Sequence, residues 1–363
     1  MTLTKPTTLQ SVARQAGVSA MTVSRVMRNS PRVSEATSRR VRAAVVALHY
    51  RPDPQLMRMM TLVRSRKRSG AGAVLAVVRE DLPRDELHHP AYQYVALADI
   101  RRRAEQHGYH AEEFWLGRDG LSPERLGHVL QARGIEGVIV SPQSSQMLCT
   151  RLDYAPFAAA TFGYGLRQPS LHRAAGNMTL GIHLAARQLS ARGYQRIGLA
   201  ITRWVDDRAE GAYSGALLHF QQSLPRRQRV PLLLLPHNDL GRCAGVFKEW
   251  MKAQRPDALI SFDTYVPDWL AQLGLRVPED VGLLVHDWTQ RMKGCAGIHQ
   301  RRDHVASAAV DLVATQLMQN ERGVPEVPHQ ILIPPSWVEG ASIRALPKTT
   351  SSRARAAQAA GTL

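Results

Sequence analysis

The chain has 363 residues, 44% of them hydrophobic, with 47 Lys and Arg against 30 Asp and Glu, a formal charge of +17. That length supports two or three domains with sizeable cores, and the lack of any run of eighteen apolar residues argues against a membrane span. Cys149, Cys243 and Cys295 are far apart with no CxxC pair, which argues against a disulfide framework or a zinc site and for a reducing compartment.

The charge is unevenly spread. Residues 1–68 hold fourteen Lys and Arg but only two acids, Glu35 and Asp53, so most of the excess lies there. A basic module on a nearly balanced body is the electrostatic footprint of nucleic-acid binding. The opening MTLTKPTTLQ has no apolar signal-peptide core, and the expected location is the cytoplasm.

Thr8 is a good N-cap, and Val12, Ala13 and Ala16 give a first helix an apolar face. Gly17 suits the left-handed residue that ends a helix. Val18 plugs the turn and Ser19 caps a second helix, with Val23 and Val26 facing inward. Ala20, Met21, Ser24, Arg25 and Arg28 are left facing out. Asn29-Ser30-Pro31 breaks the chain. Ser34 caps a third helix, roughly 35–49, with Val41, Val45 and Leu48 on one face. Three short helices with one small core make a helix-turn-helix headpiece over residues 1–53. Pro52, Asp53 and Pro54 then predict a short fourth helix, about 54–60, too short to stand alone in water. Arg64 to Gly70 reads as a basic, flexible linker, so 54–70 forms a hinge and linker.

From Gly72 the rhythm changes. Apolar runs at 73–78, 135–140, 157–162, 196–201, 231–235, 257–262 and 281–285 predict strands. Helical stretches are expected at about 91–107, 123–133, 178–192, 208–223, 241–253, 264–273 and 302–320. This alternation, with continuous apolar strands, means parallel sheets covered on both faces. Two doubly wound α/β lobes over 71–345 account for all of it, with a cleft expected at the carboxyl ends of the strands. The first lobe is placed at about 71–172 and 302–325, the second at about 173–301 and 326–345. The small, polar, basic tail 346–363 is expected to be disordered.

The run TLQSVARQAGVSAMTVSRVMRNSPRVSEATSRRVRAAVVALHYRP resembles the headpiece of the LacI/GalR family of bacterial transcription regulators, through VAxxAGVSxxTVSRV and VSxxT. Arg208-x-x-Gly211, Val277-Pro278-Glu279-Asp280-Val281, His286-Asp287 and Gly297-Ile298-His299-Gln300 resemble landmarks of the family's body, in order. The resemblance, over about residues 8–345, implies periplasmic-binding-protein-like lobes, a homodimer, a double-stranded operator with two half-sites, and a small-molecule effector between the lobes. It also implies that Ala20, Met21 and Arg25 stand where the family reads bases. Arg25 suits a bidentate contact to guanine. Ser19, Thr22, Ser24, Arg28 and Asn29 are placed for phosphates or neighbouring bases. The 54–60 helix matches the family's hinge helix, whose apolar wedge enters the minor groove. Counting gives Met59 as the wedge, with Leu56 and Met60 as alternatives, because the segment leading to the first strand is about seven residues longer than the family's.

In the cleft the chain departs from the family. Gly176-Asn177 lacks the acid of the family's DNxxG stretch, and Phe262-Asp263 has a ring where an Asn is common. Arg208 and Asp287 remain for polar ligands, and Tyr92 and Phe162 are candidate walls. The effector expected is a sugar or derivative less rich in hydroxyls, or none. No GxSxG, HExxH or P-loop appears, so an enzyme is not expected. His88-His89 and His107 with His110 lack acid or Cys partners in register, and neither metal nor cofactor is called for. Besides a repressor-type regulator, the alternative is a DNA-bound protein that uses its body as an interaction platform without a ligand. One leucine follows Pro347, so a dimer is expected over a tetramer built on a leucine-repeat tail.

Overall fold

In the headpiece, three serine or threonine caps fix where the helices start. Thr8 accepts from the Ser11 amide at the head of α1 (Leu9–Ala16), Ser19 from Thr22 at α2 (Ala20–Val26), and Ser34 from Thr37 at α3 (Glu35–Ala47). Each cap satisfies an amide that the first turn leaves without a helical partner. Gly17 has φ +63°, and its amide closes back on Ala13 and Arg14. Val12, Ala13, Ala16, Val23, Val26, Val41, Ala44 and Tyr50 form the core, while Val45 and Leu48 pack at its margin. The computed structural model describes residues 8–27, 33–50, 73–80, 95–116, 121–141, 148–149, 151–236, 240–262 and 265–347. The expected hinge helix 54–60 and the tail beyond 347 lie outside these.

The body divides into two units. The first lobe holds β1 (Ala73–Glu80), α4 (Leu97–Gln106), β2 (Tyr109–Leu116), α5 (Pro123–Ala132), β3 (Gly137–Ser141), β4 (Leu148–Cys149), β5 (Ala158–Phe162), β6 (Leu166–Gln168) and β7 (His172–Gly176). It is completed by α11 (Arg302–Gln319) and β13 (Gln330–Ile333), which return from much later in the chain. Its six-stranded sheet runs β13-β7-β5-β3-β1-β2, and the pairs from β2 to β7 are parallel. The five residues of β3 and of β5 are all buried, as sheets covered on both faces require. Gly137 lets α11 come close to β3: a Cβ there would stand 2.9 Å from Val313 Cγ1 and 2.5 Å from Leu75 Cδ2.

The second lobe holds α6 (Met178–Ala191), β8 (Ile197–Thr202), α7 (Arg203–Arg208), α8 (Ala212–Gln222), β9 (Leu233–Leu235), α9 (Leu240–Gln254), β10 (Ala258–Ser261), α10 (Val266–Gln272), β11 (Gly282–Val285), β12 (Ala296–His299) and β14 (Ser336–Val338). Its sheet runs β14-β12-β11-β10-β8-β9, parallel except for β14 against β12. Phe247, Trp269 and Leu270 are among the side chains that cover one face.

Three expectations shift. The chain passes between units at 175/176, 301/302 and 332/333, so the lobe boundaries near 172/173 and 325/326 move. The physical reason is that β7 and β13 both hydrogen-bond in the first sheet. The strand β2, with Glu112 and Glu113 inside it, and the short β12, β13 and β14 were absent from the apolar runs. The helix expected over 208–223 is realised as α8, which starts four residues later, at Ala212; α7 precedes it, and Glu210 at φ +56° and Gly211 at φ +73° separate the two. Gly211 has no side chain with which to cap α8, and the buried Asp206 takes that role: its Oδ1 accepts from the Ser214 amide at 3.0 Å.

Replacing Asp206 with alanine is expected to lower stability by about 1–3 kcal/mol, because a helix-end amide loses its acceptor in a buried setting. Asp206→Asn keeps an acceptor and should recover most of the loss. Urea denaturation of the full chain measures both, and an alanine variant as stable as the parent would disprove the capping role.

Candidate nucleic-acid interface and ligand lobes

The second helix, α2, turns one face inward and one outward. Val23 and Val26 are buried in the headpiece core. Met21, two residues before Val23, is 64% exposed. Ala20, Thr22, Ser24 and Arg25 are half-buried and Ser19 is exposed. Ser19 Oγ accepts from the Thr22 amide at 3.1 Å and lies 2.9 Å from Thr22 Oγ1. The hydroxyls of Ser19 and Thr22 therefore already hold the start of the helix, and a phosphate approaching it would meet that preset arrangement and the helix N-terminus together. Arg25 stands one turn further on, with a guanidinium whose fork matches a guanine edge. Arg28, Asn29, Met59 and its alternatives Leu56 and Met60 lie outside the described residues. A basic, three-helix unit with this outward face can neutralise phosphates and offer side chains to base edges.

In the second lobe the expected ligand residues gather where parallel strands end. Arg208 closes α7, which follows β8; Phe262 follows β10; Asp287 follows β11. These strands are neighbours in the order β11-β10-β8, so the three residues share one edge of the sheet. The Arg208 guanidinium lies over the Trp204 ring, one helical turn earlier, with 4.3 Å between its carbon and the ring centroid. Phe262 stacks on His286 with centroids 4.5 Å apart and meets the edge of Tyr213 at 4.6 Å. One face of Phe262 is thus engaged with other rings rather than turned wholly outward. Asn177 spends its side-chain oxygen on the Leu180 amide at the head of α6. Asp263 and Tyr92 lie outside the described residues. Phe162, at the carboxyl end of β5 in the first lobe, is 1% exposed, so its ring offers no open wall in this structure.

His286 is fully buried. Gln300 donates to its carbonyl at 2.8 Å and lies 3.2 Å from Nδ1. Burial pushes the imidazole pKa down to about 4, and the neighbouring Asp287 charge opposes that shift only in part. His286 is therefore neutral at physiological pH and serves as a packing surface for Phe262 and Tyr213.

Two groups of residues escaped the sequence reading. Tyr213 acts through ring contacts with Phe262 and His286, distant in sequence, and Trp204 through Arg208 one turn on; no pattern in the sequence marks either. Arg79 is different: it closes the apolar run AVLAVV of β1, and a charge at that point is legible. It is 4% exposed and donates to Glu113 of β2. The open depression lined by Arg151, Tyr154, Gln168, Ser170 and Val324 lies instead where β5 and β7 begin, and gathers none of these residues. Among the described residues no group of His, Cys, Asp and Glu is arranged to hold a metal ion, and no helix is long and apolar enough to cross a membrane.

Comparison with known proteins adds independent findings. The family of bacterial regulatory proteins, lacI family, matches residues 8–53, and the periplasmic binding protein-like domain matches residues 186–343. The chain is similar to the HTH-type transcriptional repressor PurR of Escherichia coli O139:H28 (strain E24377A / ETEC), with 25% identity covering 93% of this chain and 96% of that protein. PurR of Klebsiella pneumoniae (strain 342) shows 26% identity over the same shares. In fold, the chain is similar to the lac repressor dimer bound to operator and the anti-inducer ONPF, at TM-score 0.52 and 22% identity, covering 94% of this chain and 100% of that one. It is likewise similar to a complex of the transcriptional regulator CelR with cellobiose, at TM-score 0.53 and 19% identity, covering 93% and 99%.

The buried His286 gives a stability signature. In the unfolded chain its pKa returns to the ordinary value of 6.5, so between 6.5 and about 4 the unfolded state binds the extra proton. Stability from this group is present above that window and is lost as pH falls through it, by up to about 3 kcal/mol. Below about 4 both states are charged and the loss levels off. Denaturation midpoints measured across the window should show this slope, and His286→Phe should flatten it. An unchanged slope in the variant would assign the effect to other groups.

Proposed function

We propose that the chain is a transcription regulator of the LacI/GalR type, an operator-binding repressor whose affinity for DNA is set by a small-molecule effector. The observation that carries the reading is the basic headpiece, in which a capped α2 presents Met21 and Arg25 outward from a core of Val23 and Val26. Arg25 supplies the strongest base-reading chemistry of that face. Ala20 and Met21 suit thymine methyls, and Ser19, Thr22, Ser24, Arg28 and Asn29 suit phosphates or flanking bases. A homodimer would place two such headpieces on two half-sites, with a methionine-rich segment about Met59 in the minor groove between them. The relatives named PurR are repressors, and a solved relative carries an operator; these support the repressor reading for this chain. The expected location is the cytoplasm.

The effector reading rests on the second lobe. Arg208, Trp204, Phe262 and Asp287 line the carboxyl edge of a parallel sheet, which is where open α/β sheets take ligands. The CelR complex contains cellobiose and the lac repressor structure contains ONPF, which supports a small-molecule ligand here. Binding that favours one arrangement of the body would shift the population competent for DNA. A second reading, a ligand-independent regulator whose body is a protein-interaction platform, draws on Gly176 and Phe262 replacing the family's acid and amide. Calorimetry against a metabolite panel, with operator release as the second readout, separates the two.

Selection of bound sequences from a random DNA pool supplies the operator. On that operator, Arg25→Ala is expected to cost about 1–3 kcal/mol of specific binding and to relax one base preference. Gel-shift titrations of operator and random DNA measure this. Equal losses on both would reduce Arg25 to a phosphate contact.

A further inference from the structure

We propose that Arg79 anchors an anionic group, a carboxylate or a phosphate, of the effector; this rests on the effector reading above. Arg79 is the first charged residue of β1, an interior strand flanked by β3 and β2. In register it stands beside Ser141 of β3 and Trp115 of β2. All three sit at the carboxyl ends of their strands, the edge at which parallel sheets take ligands. The Arg79 side chain is 5% exposed, and Glu113, whose carboxylate accepts from Nε, is 26% exposed. A buried ion pair with only a structural duty is matched or bettered by apolar side chains of similar size, and the six residues before Arg79 in β1 are apolar.

A guanidinium carries donors only, so whatever meets it must accept. Glu113 occupies the Nε side. Nη1 lies 3.5 Å from Ser141 Oγ, and Nη2 has no hydrogen-bond partner among the described residues. Two oxygens of one carboxylate or phosphate fit the Nη1 and Nη2 pair in parallel, the arrangement for which a planar fork is preorganised. Ser141 Oγ lies beside Nη1 as a further donor. Glu113 keeps the fork oriented from behind, and the Trp115 ring, 5.8 Å from the guanidinium carbon, backs one face. Burial disfavours the charged form of Arg79 and Glu113 counters it; in such dry surroundings an arriving anion is poorly screened.

The test uses the full chain and matched probes differing in charge: glycerol and glycerol phosphate, glucose and glucose phosphate, glucose and gluconate, and inorganic phosphate alone. Thermal unfolding and operator gel shifts are the readouts. The expected result is that a phosphorylated or carboxylated probe stabilises the protein and alters operator affinity while its neutral partner does not. The phosphate and gluconate arms separate the two anion sources. Arg79→Gln should weaken that binding about tenfold or more, and Arg79→Lys, which keeps charge but loses the fork, should fall between. If Arg79→Gln does not fold, Ser141→Ala and the double variant Arg79→Met with Glu113→Gln carry the same comparison. Neutral probes binding in place of charged ones would overturn the anion while leaving the effector reading intact. Anion binding that survives both Arg79→Gln and Ser141→Ala would overturn the anchor. Silence of every charged probe in both readouts would overturn the anchor, while the effector reading stands or falls by the metabolite panel.

Discussion

A parallel strand cannot be followed directly by its neighbour. The chain must travel back along the sheet before it can pair again, and helices covering both faces provide that return. Both lobes are built on this constraint. It forces the strands to be apolar, as in the fully buried β3 and β5, and it delivers the carboxyl ends of a lobe's parallel strands to the same edge. Residues at or just beyond the carboxyl ends of those strands, whether Arg208, Phe262 and Asp287 in one lobe or Arg79 and Ser141 in the other, are brought together by topology and need no proximity in sequence. A polar or charged group at this edge lies at the boundary of the core, where it can be desolvated without interrupting the apolar layer.

The headpiece obeys a different economy. Its core contains four valines, three alanines and Tyr50, which follows α3, with no large aliphatic cluster among them. So small a core supplies little stability on its own. The caps at Thr8, Ser19 and Ser34 and the left-handed Gly17 therefore matter more here than equivalent devices in the lobes. They fix the angle at which α2 leaves the turn, and that angle decides whether Met21 and Arg25 face outward as a pair. Reading DNA is in this sense a by-product of how two short helices end and begin.

What was legible in the sequence was local. The three caps, the glycine stop and the inward valines of α2 follow from residues within one or two turns, and the structure repeats them. The longest apolar runs became strands for the same reason: continuous Val, Leu, Ile and Ala have no other way to be buried in short segments. The helix expected over 208–223 starts late, at Ala212, because Glu210 and Gly211 take left-handed conformations and Asp206 reaches across them to Ser214. Strand β2 was missed because Glu112 and Glu113 disguise it; Glu113 is there to meet Arg79, a pairing across two strands. In the candidate ligand lobe, position was readable but environment was not. Phe262 could be placed at the end of a strand, whereas its stacking on His286 depends on a residue twenty-four positions away. Arg79 was within reach, since a lone charge closing an apolar strand is a local irregularity.

The first lobe draws its strands and helices from two stretches separated by most of the second. The helix α11 packs against β3 and β5, close enough that Gly137 has no room for a side chain, and β13 supplies the edge strand beside β7. During synthesis, β1 to β7 emerge long before either piece exists. For more than a hundred residues of elongation, the part of one face that α11 will cover stays open and the β7 edge stays unpaired, the condition in which sheets seek other partners. The lobe begun first thus waits for its last strand until most of the second lobe has been made, and the growing chain must keep an open, apolar sheet from finding a neighbour until residue 333 has left the ribosome.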